Sequence, residues 1–115
     1  MNGPSSHIHD GLLVLHAPFP SAYVLTLRGT VNAIAGEDLE DDFARAADSG
    51  LPLIVDLGAL EFGDETLLGH LITARRTAGI ELVGPLCPSF QRRLDTAGVT
   101  NWFTIHPSLA AALNR

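Results

Sequence analysis

Strand-length apolar runs alternate with helix-period segments along nearly the whole chain, and glycine or proline marks most of the junctions. Alternation of this kind argues for a mostly parallel sheet, with the first hairpin adding an antiparallel edge. Residues 12–16 and 23–28 read as two strands joined in a hairpin by the turn Ala17-Pro18-Phe19-Pro20-Ser21. Residues 36–48 place Leu39, Phe43, Ala46 and Ala47 at helical spacing, and Gly50 ends that helix. Glu37 and Asp38 are expected near its N-terminus, where the helix dipole favours negative charge. Residues 51–57 form a buried strand, apolar until Asp56. A short loop then leads to Asp64, which reads as the N-cap of a second helix carrying Leu67, Leu68, Leu71, Ile72, Ala74 and Ala78. Gly79 stops it, and residues 80–83 make the next strand. Pro88 opens a third helix with Phe90, Leu94 and Ala97 on one side and Gly98 as its stop. Residues 102–105 are the last strand, and Pro107 starts a terminal helix through Leu109 and Leu113.

The predicted order is β-β-α-β-α-β-α-β-α, an α/β fold with a mixed, mostly parallel sheet of about five strands and four helices. At 115 residues the chain is one domain. Residues 1–10, MNGPSSHIHD, lack apolar periodicity and are expected to form a flexible tail before a domain over 11–115. His7, His9 and Asp10 are metal-ligand types, but two alternating histidines in a mobile tail make a poor site without a rigid third ligand. No metal or cofactor is therefore expected.

Charge narrows the function classes. Thirteen acids against seven bases leave a formal charge of −6, and all seven bases are scattered arginines. A nucleic-acid binder needs a cationic face to neutralise phosphates, so nucleic acid is not an expected partner. No run approaches the ~18 apolar residues of a membrane span, so no direct membrane insertion is expected. The start lacks the blocks of a signal peptide, and the single cysteine, Cys87, suits a reducing compartment. The expected location is the cytoplasm.

Candidate catalytic groups do not assemble into an active site. Asp56 ends an apolar strand as a receiver-domain phosphoaccepting aspartate does, but that chemistry needs a lysine, and the chain has none. A structural role at the strand end is expected instead. Cys87 and Arg93 have the C-x5-R spacing of cysteine-dependent phosphatases, yet the five intervening residues contain no glycine and include Pro88. His16, His70 and His106 pair by spacing with no serine elbow or orienting acid, and Ser89 and Ser108 are explained by helix first turns. Glu37, Asp38, Glu40, Asp41 and Asp42 read as a solvated helix face. The chain is not expected to be an enzyme.

The informative segment is LGALEFGDETLLGHL over residues 57–71, where a strand leads through a short loop into a helix N-terminus bearing Glu65 and Thr66. Free N–H groups and the helix dipole make such a place receptive to an anion. Phe62, Asp64, Thr66, Leu68, Gly69 and Leu71 follow a pattern in which an apolar strand and a phenylalanine precede Asp-Ser-Ser/Thr-Gly-Leu-Gly and a further leucine. Leu27-Arg28-Gly29 with Val31-Asn32, Ile54-Val55-Asp56-Leu57, Leu82-Val83-Gly84 and Ala97-Gly98-Val99 with Phe103, Pro107 and Leu109 extend the match from Tyr23 to Leu113. The sequence thereby resembles the STAS domain family, in its bacterial anti-sigma factor antagonist (anti-anti-sigma factor) form.

That resemblance implies a partner-switching regulator of transcription that works by protein–protein binding. The unphosphorylated antagonist binds an anti-sigma factor with a histidine-kinase-type ATPase fold, which frees the sigma factor. The kinase then phosphorylates the serine after the aspartate, and the added charge of about −1.5 to −2 at a packed helix start dissociates the complex. By position the partner interface is expected to include Asn32, Asp64, Glu65, Thr66, Leu67 and Leu68.

Three residues depart from the family pattern at this surface. Glu65 replaces the phosphoacceptor serine, Leu67 stands where glycine is preferred, and Asn32 stands for the usual aspartate. Glu65 then carries a fixed, phosphate-like charge at the switch, and Thr66 is the neighbouring hydroxyl left as an alternative phosphoacceptor. As a first-turn acid Glu65 also stabilises the helix by about 0.3–1 kcal/mol. The runner-up reading is a STAS adaptor subunit of a lipid-transport ABC or other membrane transport assembly, which needs an ATPase-facing surface and no phosphoacceptor.

Overall fold

The computed structural model describes residues 4–114. It holds strands β1 (Ser5–His9), β2 (Leu12–Pro18), β3 (Tyr23–Val31), β4 (Leu53–Asp56), β5 (Leu60–Gly63), β6 (Ile80–Val83) and β7 (Thr104–His106). The helices are α1 (Ala33–Asp48), α2 (Glu65–Thr77), α3 (Pro88–Ala97) and α4 (Leu109–Leu113), with a 3-10 turn over Thr100–Trp102. The α/β class and the four helices match the sequence reading. The strand count does not: one sheet of seven strands replaces the expected five.

The sheet runs β1-β2-β3-β4-β6-β7, antiparallel across β1, β2 and β3 and parallel from β3 onward. β3 is long enough to serve two partners. Its first half pairs with β4, and after a register shift at Gly29/Thr30 its second half pairs with β5. Alternation along the strands then sorts the core. Leu25, Leu27, Leu53, Val55 and Leu82 face α1, α2 and α3, whereas Val24, Ile54 and Val83 pack with Ala112 of α4 on the other face.

The expected tail over 1–10 is corrected for the residues described, and its part over 1–3 lies outside them. Ser5–His9 is an edge strand, joined to β2 by Asp10 and Gly11 at φ 44° and 87°. A two-residue turn with both central residues at positive φ suits the right-handed twist of a hairpin, and Asp-Gly is a favoured pair for it. The outer face of β1 shows Ile8 at 73% exposure, while Ser5, His7 and His9 point inward beside Leu12, Val14 and His16 of β2.

Several boundaries also move. α1 starts at Ala33 because Asn32 caps it, its Oδ1 accepting from Ala35 N at 2.9 Å. Glu37 and Asp38 consequently lie beyond the first turn, which contains no acid. α2 ends at Thr77, with Ala78 already extended. The last strand shifts to Thr104–His106, since residues 100–102 close a 3-10 turn instead.

Asp42 corrects the reading of α1's acidic face as solvated throughout: it is buried at 4% exposure beneath β1 and β2. His16 Nε2 donates to its Oδ1 at 2.6 Å, and the Tyr23 hydroxyl meets His16 Nδ1. Burial pushes His16 below the ordinary imidazole range, against the opposing hydrogen bond and charge of Asp42. Burial likewise pushes the Tyr23 hydroxyl up. Both shifts favour neutral forms, so Tyr23 donates to His16 and His16 donates to Asp42.

Candidate functional site

The segment singled out by its motif lies at the carboxyl ends of β3 and β5, where both strands turn into helices. Val31 and Gly63 are register partners, and Asp64 N donates to Val31 O at 3.1 Å. The two chain exits therefore run side by side, and α1 and α2 start together. At Gly36 an added Cβ would stand 2.6 Å from both Cβ and Cγ2 of Thr66, so the absence of a side chain lets the helices approach. His70 reinforces the contact, its Nε2 donating to Gly36 O at 2.7 Å while its ring stacks on Phe43.

Asp64 caps α2 as its sequence position predicts. Its Oδ1 accepts from Thr66 N at 2.9 Å and Leu67 N at 3.2 Å, which satisfies two of the free donors of the first turn. Thr66 Oγ1 donates to Asp64 Oδ2 at 3.3 Å, so the hydroxyl is turned back onto the cap. Asp64→Ala is expected to lower stability by about 0.5–2 kcal/mol, with Asp64→Asn retaining most of it. Urea unfolding of the three proteins would measure this, and a shift for Asp64→Asn as large as that for Asp64→Ala would contradict the capping role.

Glu65 is the first residue of α2, and its side chain is 90% exposed. Arg93 of α3 approaches it, Nη1 lying 3.7 Å from Glu65 Oε1, while Arg93 Nε donates to Gly63 O at 3.2 Å. Exposed apolar side chains stand at the neighbouring element ends. Ile34, in the first turn of α1, is 63% exposed, and Phe62, two residues before the cap, is 38% exposed. Beyond Glu65 an open groove of about 620 Å³ runs between α2 and α3, bounded by Leu68, Ile72, Arg92 and Thr96. A fixed negative charge thus stands between exposed hydrophobic side chains and a groove.

The six expected interface residues do not all reach this surface. Asp64, Glu65 and Thr66 do, and Asn32 lies beside them, donating from Nδ2 to Asp10 Oδ2 at 2.9 Å. Leu67 is fully buried against Gly63 and the core, which removes it from the surface, and Leu68 exposes only its edge in the groove. Ile34 and Arg93 are the residues that sequence reasoning missed here. An isoleucine in the first turn ahead of Ala35 and Leu39, off their buried stripe, is the available signal for the former.

The remaining candidates have structural partners. Asp56 Oδ1 accepts from Gly58 N at 3.0 Å in the turn after β4. Cys87 Sγ lies 3.7 Å from Ser89 Oγ, and Arg93 points toward Gly63 rather than cradling an anion at the thiol. His106 Nε2 contacts Glu81 Oε1 at 2.6 Å, and Ser108 caps α4. Among the described residues no helix is long and apolar enough to cross a membrane.

No protein-family model matches this sequence, and no curated protein does either. Solved structures do. An anti-sigma factor antagonist from Mycobacterium paratuberculosis superposes with a TM-score of 0.80 at 23% identity, over 91% of this chain and 93% of the other. The anti-sigma factor antagonist SpoIIAA in its unphosphorylated form gives 0.73 at 15% identity, over 98% and 95%. The Bacillus cell fate determinant SpoIIAA in its phosphorylated form gives 0.66 at 17% identity, over 98% of both chains. Over nearly its whole length the chain therefore has the STAS fold of the anti-sigma factor antagonists.

Proposed function

We propose that the chain is an anti-sigma factor antagonist that acts by binding, with Glu65 as a permanent counterpart of the phosphorylated state. The observation that carries the reading is the position of Glu65: first residue of α2, directly after the capping Asp64, with its carboxylate in solvent. A solved antagonist of this fold, SpoIIAA, exists in unphosphorylated and phosphorylated forms, so charge at this type of domain is a natural control variable. The structures named as antagonists also favour this reading over a transport adaptor. The partner it implies is an anti-sigma factor with a histidine-kinase-type ATPase fold. Ile34, Phe62 and the edge of Leu68 supply apolar contact area, and Asp64 with Glu65 sets the local charge.

A pull-down with native protein and Glu65→Ser as parallel baits tests partner and switch together. Recovery of a kinase-type anti-sigma factor by either bait supports the assignment, and preferential recovery by Glu65→Ser supports the fixed charge. Capture of a transport ATPase by both baits equally would redirect the function to the adaptor class.

Incubation of the native protein with such a kinase and ATP is expected to leave it unmodified. Glutamate carries no hydroxyl, and the Thr66 hydroxyl is engaged with Asp64 while its methyl packs against Gly36. Intact-mass measurement checks this. Stoichiometric phosphothreonine at Thr66 would mean that the switch had moved one residue along the helix.

A further inference from the structure

We infer that His7, His9 and Asp42 form a binding site for a single divalent cation of the zinc type, held between β1 and α1. The sequence offers two histidines at alternate positions and no fixed third ligand, and the fold supplies that ligand. Alternation along β1 turns both imidazoles to the face that covers α1, where Asp42 is buried. His7 Nε2 lies 2.7 Å from Asp42 Oδ1, and His9 Nε2 lies 3.1 Å from Oδ2. One ligand atom from each of the three residues falls within 4.8 Å of the others. Tetrahedral zinc with bonds of about 2.0–2.1 Å needs ligand atoms about 3.3 Å apart, and the two His–Asp42 separations of 2.7 and 3.1 Å lie near that spacing.

The surroundings match what such an ion requires. His16 Nε2 holds Asp42 Oδ1 at 2.6 Å from the buried side, which fixes the carboxylate without using Oδ2. The other ring nitrogen of His9, Nδ1, lies 3.6 Å from Asp38 Oδ2. When Nε2 of His9 takes the metal, its proton belongs on Nδ1, the side on which the Asp38 carboxylate lies. A carboxylate behind a ligating imidazole is the usual outer partner of a metal-bound histidine. The site opens on a cleft of about 360 Å³ lined also by Asp41 and Arg45, so three carboxylates outweigh one guanidinium and a fourth ligand position faces water. Two imidazoles and one carboxylate suit zinc, cobalt or nickel rather than calcium or magnesium, which prefer oxygen. Because its ligands come from β1 and α1, the ion would pin the edge strand to the helix.

Titration of the full, untagged chain with Co²⁺, followed by visible d–d absorption and by displacement with Zn²⁺, tests the site. One ion per chain is expected, with Zn²⁺ displacing Co²⁺ and raising the thermal midpoint. His7→Gln and His9→Gln should each weaken binding by about 100-fold or more, and Asp38→Asn by about tenfold, the scale of an outer-shell partner. His7, His9 and Asp38 are not fully buried, so these variants should fold, with circular dichroism as the check, whereas Asp42→Asn alone would be open to misfolding. Absence of saturable uptake, or equal affinity in native protein and the His7→Gln/His9→Gln pair, would overturn the site and leave the histidines as a hydrogen-bonded clasp on Asp42. Neither result bears on the antagonist reading, which rests on Glu65 at the start of α2.

Discussion

Phe90→Ala should remove about 3–5 kcal/mol of unfolding free energy, a large share of the ~5–15 kcal/mol available to a domain of this size. Phe90 is fully buried where α3 crosses the end of β5, and its ring sits close enough to the backbone of Gly63 that an added Cβ there would meet Phe90 Cδ1 at 2.8 Å. The same Cβ would meet Leu67 Cδ2 at 2.7 Å, so Gly63, Leu67 and Phe90 interlock beneath the start of α2. Truncating the ring costs its transfer free energy and leaves a cavity that this interlock resists collapsing. The effect should extend to the surface, because Gly63 is the last strand residue before the Asp64 cap. Guanidinium unfolding of native protein and variant, with equal m-values, measures the loss. A change below about 1 kcal/mol would mean that the chain repacks around the missing ring and that β5 is not held by α3.

How far the sequence discloses this architecture depends on where each element finds its stabilisation. β4, β6 and the apolar faces of α1, α2 and α3 are visible because their periodicity matches the surface they bury. β1 is concealed by inversion: its histidines turn inward to a buried aspartate and its isoleucine outward, the reverse of the apolar-in pattern. Only Asp10-Gly11, at the hairpin turn, signals a strand there. β5 is concealed because four residues with only their two ends buried carry no alternation, and the strand exists by pairing with the far half of β3. At the site, the Asp64 cap and the exposed Glu65 follow from local helix chemistry and are legible. The approach of Arg93 to Gly63, thirty residues away in sequence, and the burial of Leu67 are tertiary facts that no local pattern encodes.

Replacing Glu65 by serine should tighten binding to a kinase-type anti-sigma factor by roughly 5- to 150-fold, equivalent to about 1–3 kcal/mol. The free protein will register the change weakly. Glu65 is mostly in water, its contact with Arg93 at 3.7 Å is a surface pair worth about 0–1 kcal/mol, and its interaction with the dipole of α2 is of similar size. On binding, the balance differs. A surface with Ile34, Phe62 and the groove edge around it excludes water from Glu65 when a partner closes over it, and the carboxylate must then be desolvated or face the partner's own charge. Serine removes that cost and supplies the hydroxyl that the family resemblance implies at this position. Glu65→Gln separates charge from size: it should recover most of the gain if charge is the cause, and little if the partner simply lacks room. Partial mimicry sets the ceiling, since one carboxylate carries less charge and fewer acceptor oxygens than a phosphate. Calorimetry with purified partner and all three proteins, each folded by circular dichroism, decides the matter. If Glu65→Ser binds no better than native protein, the carboxylate is neutral or a favourable contact, and the chain is not locked in a phosphorylated-like state.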